Sequence, residues 1–401
     1  MTKKKNITEN NQSKNDESLF FETLEKAEQG DAEAQNNLGW MYHSGEGVKI
    51  DEEKAIYWYT KAARQDNAEA QYNLGLMYHF GEGVEVDEKK AVYWYEKAAK
   101  QGDAQAQYNL GVMYHFGEGV EVDETRAAYW YEKAAEQGDA DAQYNLGLMY
   151  DNGEGVAVDK AKVFYWFEKA AKQGYADAQS NLGCMYYDGE GVAVDKAKAF
   201  YWYAKAAEQG YAEAQSNLGC MYYDGEGVAA NNKKAFYWWE KAAEQGDVDA
   251  QYYLGTMYHF GDGVRVDKAK AVYWYTKAAE QGETKAQFNL GLMYYNSEGV
   301  DKAKAVYWYK KAAEQGETKA QFNLGVMYHF GDGVKVDKAK AVYWYTKAAK
   351  QDNADAQYNL GVMYHLGDGV AVDKTKALYW YKKALEAGVT GAQAKIKELE
   401  K

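Results

Sequence analysis

The chain has 401 residues, of which 47% are apolar and 16% aromatic, with a formal net charge of -14 and two cysteines. That charge argues against a phosphate-binding surface and so against nucleic acid as a partner. No run of 18 apolar residues occurs, which argues against membrane insertion.

Residues 1–16 carry Lys3, Lys4 and Lys5 and continue into Asn, Gln, Ser and Asp without the apolar stretch of a secretory signal. The segment reads as a disordered leader, with a cytoplasmic location by default and export as the alternative if a longer precursor was trimmed. Residues 17–31 read as an N-terminal capping helix, with Leu19, Phe20 and Leu24 available to cover the helix beyond it.

From residue 32 to 389 the chain repeats one 36-residue unit ten times, approximately A-x-A-Q-x-N-L-G-x-M-Y-x-x-G-x-G-V-x-V-D-x-x-x-A-x-Y-W-Y-x-K-A-A-x-Q. A unit this short cannot enclose a core, so stability must come from stacking neighbours. The expected architecture is all-α, an α/α superhelical solenoid forming one elongated domain, closed at 390–401 by a second cap in which Ala392 to Leu399 resembles a truncated helix.

Within the first unit, Ala34, Leu38, Met41 and Tyr42 follow the i, i+4, i+7, i+8 spacing of one helical stripe, which defines helix A. Gly45 and Gly47 permit positive φ and end it. Asp51 suits an N-cap, with Glu52 and Glu53 favourable in the first turn, so helix B runs from there to about Arg64. On helix B, Ala55, Trp58, Tyr59, Ala62 and Ala63 fall in one sector that must pack on helix A.

Gly39 stands mid-helix and recurs in all ten units. Each such glycine costs about 1 kcal/mol against alanine. Burying a large ring is worth roughly 4 to 6 kcal/mol as an upper bound, so the recurrence predicts close approach of an aromatic ring or a helix backbone. The chain has no proline, leaving the turns to glycine. In the eighth unit Asn296 to Val300 runs directly into Asp301 and is two residues short, which predicts a local change of pitch.

The motif A-x-A-Q-x-x-L-G-x-M-Y, then G-x-G-V, then A-x-x-W-Y-x-K-A-A resembles the Sel-one-like repeat family, relatives of tetratricopeptide repeats, over about nine tenths of the chain. The resemblance implies a protein-binding adaptor or scaffold, often bacterial, with a concave groove lined by helix A. A cysteine-rich subgroup binds and hydrolyses β-lactams, but its cysteine pairs are missing here. Cys184 and Cys220 occupy one position in consecutive units, roughly 10 Å apart by helix packing and too far for a disulfide. They read as small core or groove residues.

The face of helix A away from the stripe predicts a groove formed by Tyr72, His79, Tyr108, His115 and Tyr144, and further along by Tyr252, His259, Phe322, His329, Tyr358 and His365. All six histidines share one position. Their spacing is too wide for one metal ion, and they read either as helix-end residues bonded to the adjoining loop or as partner contacts. On helix B, Tyr93, Tyr129, Tyr165, Tyr201 and Tyr273 face outward with a lysine four residues on. They read as cover for the lysine stem or as an outer docking ridge. The acids of the G-x-G turns, such as Glu46, Glu82 and Glu118, read as a solvated edge or a contact for basic partners.

No nucleophile elbow, phosphate-cradling loop or H-E-x-x-H occurs, and repetition disfavours a unique acid/base pair. The reading is a non-enzymatic scaffold for a protein or peptide, without metal or cofactor and with its oligomeric state open. A β-lactam enzyme and an exported host-interaction factor are the alternatives.

Overall fold

The computed structural model describes residues 18–296 and 301–400. The leader and the shortened turn at 297–300 lie outside these residues, and with them the expected disorder and change of pitch.

Every regular element among the described residues is a helix. The chain divides into two compact units, Met1–Gln209 and Gly210–Lys401. In the first, α1 (18–28) precedes five A/B pairs: α2 (Ala32–Ser44) with α3 (Glu52–Ala63), α4 (Ala68–Phe80) with α5 (Glu88–Lys100), α6 (Ala104–Phe116) with α7 (Glu124–Glu136), α8 (Ala140–Asn152) with α9 (Lys160–Lys172), and α10 (Ala176–Asp188) with α11 (Lys196–Glu208). The second holds α12 (Ala212–Asp224) with α13 (Asn232–Glu244), α14 (Val248–Phe260) with α15 (Lys268–Glu280), α16 (Thr284–Asn296) with α17 (Lys302–Glu314), α18 (Thr318–Phe330) with α19 (Lys338–Lys350), and α20 (Ala354–Leu366) with α21 (Lys374–Glu386), followed by α22 (Gly391–Leu399). Within each unit a B helix packs on its own A helix and on the next one, the neighbour-only pattern of an all-α solenoid.

The third repeat shows how local chemistry sets these boundaries. Asp103 caps α6 by accepting from the Ala106 amide at 2.7 Å, and Gly117, at φ 78°, ends the helix by donating to the Met113 carbonyl. The Asp123 amide donates back to the Tyr114 carbonyl at 2.9 Å, closing the turn, while its carboxylate accepts from the Arg126 amide to start α7.

The second glycine of each turn has a further reason. At Gly119 a Cβ would stand 2.5 Å from the Glu88 carbonyl carbon, because the turn of one repeat sits on the start of the preceding B helix. Sequence reasoning attributed both glycines to chain reversal alone.

The mid-helix glycine has the aromatic partner of the two that the sequence left open. A Cβ on Gly111 would lie 2.5 Å from Cδ1 of Tyr131, a ring enclosed in the core. The same pair recurs as Gly75 with Tyr95, Gly147 with Phe167 and Gly219 with Trp239.

A glutamine relay ties each interface in a way the sequence reading missed. Gln107 donates from Nε2 to the Ala99 carbonyl of α5, and its Oε1 accepts from Gln137 at the end of α7. Gln137 also donates to the Gly102 carbonyl. One buried amide thereby joins two B helices through the A helix between them.

A short helix stands at each end of the repeats. On α1, Phe20 and Ala27 are buried and the Phe20 ring meets Tyr42 edge-on at 5.6 Å. Leu24 packs beside them, but Leu19 is 51% exposed, since residues 20, 24 and 27 share the face that touches α2 and Leu19 does not. On α22, Ala392 and Ile396 cover the core formed with α21.

Candidate functional site

The expected groove residues lie on the A helices, and their environments differ by position. In the first unit the rings of Tyr72, Tyr108 and Tyr144 are half-buried, resting on Tyr95, Tyr131 and Phe167 with centroids 5.8, 5.9 and 5.4 Å apart. In the second unit Tyr252, Phe322 and Tyr358 rest likewise on Tyr275, Tyr345 and Tyr381. Where the residue is small, as at Asn36, Ser180 and Ser216, it is buried.

An asparagine one residue further on stands in nine of the ten repeats, with Tyr253 the exception. Sequence reasoning passed over it, although recurrence alone was the available signal. Asn181 donates to the Tyr144 hydroxyl at 3.4 Å, and Asn145 is hydrogen-bonded to Tyr108. These amides link the A-face aromatic residue of one repeat to the A helix of the next.

Between consecutive A helices these residues line small clefts. One of about 370 Å³ between α6 and α8 has Tyr131 as its floor and Tyr108, His115, Asn145, Leu148 and Glu154 on its walls. In the second unit a cleft of about 240 Å³ has Tyr309, Tyr295 and Asn323 at the positions of Tyr131, His115 and Asn145, with Phe322 of the following A helix beside them. Burial holds the Tyr131 hydroxyl well above its ordinary range, so the floor presents a neutral phenol. Burial, helped by Asp141 and Asp139, raises Tyr108 in the same direction.

Three of the six histidines approach carboxylates, His43 at the first residue of its own helix B and His79 and His329 in the turn of the following repeat, whereas the Nδ1 atoms of His115, His259 and His329 are buried without a hydrogen-bond partner. His43 Nδ1 lies 2.9 Å from Glu52, His79 Nε2 3.6 Å from Glu118, and His329 Nε2 3.4 Å from Asp368. Burial, with Lys268 nearby, lowers the pKa of His259; burial and Lys338 do the same for His329. Among the described residues no three His, Cys, Asp or Glu side chains are arranged to hold a metal.

The acidic row is more than a solvated edge. Lys160, first residue of α9, pairs with Glu190 of the next turn at 2.9 Å; Lys338 pairs with Asp368 at 3.0 Å, and the Tyr295 hydroxyl donates to Asp332 at 3.2 Å. These turn acids therefore latch onto the preceding repeat, a contact hidden from sequence because its partners stand 30 or more residues away.

The outer tyrosines face solvent. Tyr93, Tyr129, Tyr165, Tyr201 and Tyr273 are about half exposed, and Lys97, Lys133, Lys169, Lys205 and Lys277 lie over their rings at 4.8 to 6.0 Å. Neither cysteine is in a disulfide, and burial raises the Cys220 thiol to about 11. Among the described residues no helix is long and apolar enough to cross a membrane.

The Sel1 repeat model matches ten consecutive segments, from 32–67 to 354–389, without a gap. The chain belongs to the Sel1-repeat family. This Sel1-repeat protein is 39% identical to a solved protective antigen of uropathogenic Escherichia coli strains that displays an SLR fold; the match covers 95% of this chain and 90% of that one, with a TM-score of 0.62. A Sel1 repeat protein from Oxalobacter formigenes is 34% identical over 86% of this chain and 90% of its own, with a TM-score of 0.52. None of the curated proteins compared with it matches. Its repeat fold is of the kind typical of protein-interaction scaffolds, in a family that is generally non-catalytic.

Proposed function

We propose that this protein is a non-enzymatic scaffold whose A-helix faces hold a protein or peptide segment. The observation that carries the reading is the recurrence of a cleft between A helices with a buried ring and an asparagine in its lining, at Tyr131 with Asn145, Phe167 with Asn181 and Tyr309 with Asn323, the first of these adding the Tyr108 ring and the Glu154 carboxylate. Apolar clefts with a few fixed polar groups are the usual form of binding sites. A single cleft takes roughly one side chain, so affinity must accumulate over several repeats.

The residues suited to partner contact are His115, Tyr108 and Asn145 in the first unit and His329 and Phe322 in the second. Unlinked cysteines are compatible with a reducing compartment, and we place the protein in the cytoplasm.

Partners captured from the source cell by the purified protein and identified by mass spectrometry supply the ligand for the test. The variant Tyr108→Ser with His115→Gln and Asn145→Ala should bind that ligand at least about tenfold more weakly, the scale of losing one contact cluster. Serine already stands at the Tyr108 position as Ser180 and Ser216, which keeps the variant within what the repeat accepts. Undiminished binding, or loss only with Tyr129→Ser and Tyr165→Ser, would move the site to the outer tyrosines.

A further inference from the structure

The A–B turns of the first repeats expose apolar side chains beside the groove, and one of them, Phe116, also lines the cleft around Tyr131. Phe80 and Phe116, the last residues of α4 and α6, are 64% and 66% exposed, and Val86 and Val122 in the turns after these helices are each 60% exposed. The turns form a continuous edge, since Gly83 sits on Glu52 and Gly119 on Glu88. The second unit has an equivalent apolar edge at Phe260, Phe330 and Leu366.

Charge separates the two edges. Residues 1–209 carry a net charge of -15 and residues 210–401 a net charge of +1. Segment 118–126 holds four carboxylates against Arg126 alone, and segment 82–90 four against two lysines. Two of those cations are engaged locally, Lys90 with Asp87 at 3.0 Å and Arg126 with Asp123 at 3.3 Å.

The first position of helix B sharpens the contrast. In later repeats Lys160 and Lys338 stand there and neutralise the next turn acid. In the first three repeats it holds Glu52, Glu88 and Glu124, adding a carboxylate where a cation would otherwise sit.

We propose that the turn edge of repeats one to three docks a cationic amphipathic segment of a partner protein, with apolar side chains on Phe80 and Phe116 and Lys or Arg against Glu82, Glu88, Glu118 and Glu124. Exposed rings call for an apolar partner surface, and the excess of carboxylates over Lys and Arg along this edge selects a basic one and repels nucleic acid or an anionic lipid surface. This edge adjoins the A-face cleft around Tyr131, which Phe116 also lines, and Lys/Leu binding that is kept in Asn145→Ala but lost when Glu52, Glu88 and Glu124 are replaced distinguishes the edge from the cleft.

The test uses a synthetic peptide of interspersed Lys and Leu, a Lys/Ser peptide of equal charge and a Glu/Leu peptide, each titrated by fluorescence anisotropy into the full chain. The set Glu52→Lys, Glu88→Lys and Glu124→Lys introduces the residue that later repeats carry. The set Phe80→Asn and Phe116→Asn introduces the Asn152 seen in α8. Each should weaken Lys/Leu binding about tenfold or more, the scale of about 1.4 kcal/mol. Glu33→Lys, Glu69→Lys and Glu208→Lys change the net charge equally at exposed sites elsewhere in the unit and should cost less than about twofold. An equal loss in that control set, equal affinity for the Lys/Ser or Glu/Leu peptide, or no loss with the Phe→Asn set would overturn the proposal.

Discussion

Gln107 accepts a 2.7 Å hydrogen bond from Gln137 while its own amide nitrogen donates to Ala99, so a single buried side chain is satisfied at both ends by two different helices. The relay runs through the first unit as Gln35 with Gln65, Gln71 with Gln101 and Gln143 with Gln173, and the second unit repeats it. It fails once, at Gln357, whose buried Oε1 has no partner because Ala387 stands where the donor glutamine belongs.

Ala387→Gln should therefore stabilise the C-terminal repeats by about 0.5 to 1.5 kcal/mol, the net worth of a hydrogen bond made to a buried acceptor. Urea unfolding of the variant beside the parent, followed by circular dichroism, measures it. An unchanged midpoint would mean the carbonyl is already satisfied by water.

Gly111→Ala should destabilise, although alanine is the better helix former. The new Cβ would meet the enclosed Tyr131 ring at 2.5 Å, and a packed ring has nowhere to go. Overpacking of this kind costs about 1 to 3 kcal/mol, against a propensity gain of about 1 kcal/mol. Thermal unfolding should show a lower midpoint, and Gly111→Ala combined with Tyr131→Leu should recover part of the loss.

Asp352→Gly should stabilise. Asp352 adopts φ 59°, a left-handed conformation that other repeats assign to glycine, as at Gly102, Gly138 and Gly316. The relief is about 1 kcal/mol, less the entropy that glycine adds to the unfolded chain. Chemical denaturation of the single variant checks it.

Acidification should weaken the second unit through His259 and His329. Burial lowers both pKa values in the folded chain, reinforced by Lys268 and Lys338, with Asp368 partly opposing at His329. The unfolded chain therefore takes up protons first, at about pH 6.5, and stability present above that value declines as pH falls below it. The double variant His259→Tyr and His329→Tyr, which introduces the residue found at Tyr223 and Tyr295, should flatten the stability profile between about pH 7.5 and 5.5. A profile as steep as the parent's would assign the effect to other groups.

Much of the fold was legible because its causes are local. The A stripe of Leu110 and Met113, the cap at Asp123 and the left-handed Gly117 each arise from a few neighbouring residues, and the structure places them as the period demands. Leu19 was misread because a short terminal helix offers two possible faces. The site was less legible. The asparagines, the turn-acid latches and the second glycine of each turn recur as visibly as the core, but their reasons lie in the adjoining repeat.

The 36-residue period by itself determined the all-α architecture, the number of helix pairs and the faces that pack, since helical periodicity and capping act within one repeat. Only the tertiary structure decided that Gly119 admits the Glu88 backbone, that Glu118 reaches His79, and that Gln137 completes Gln107. Those contacts join residues roughly one repeat apart, and the energy of meeting exists only when one hairpin is stacked on the next.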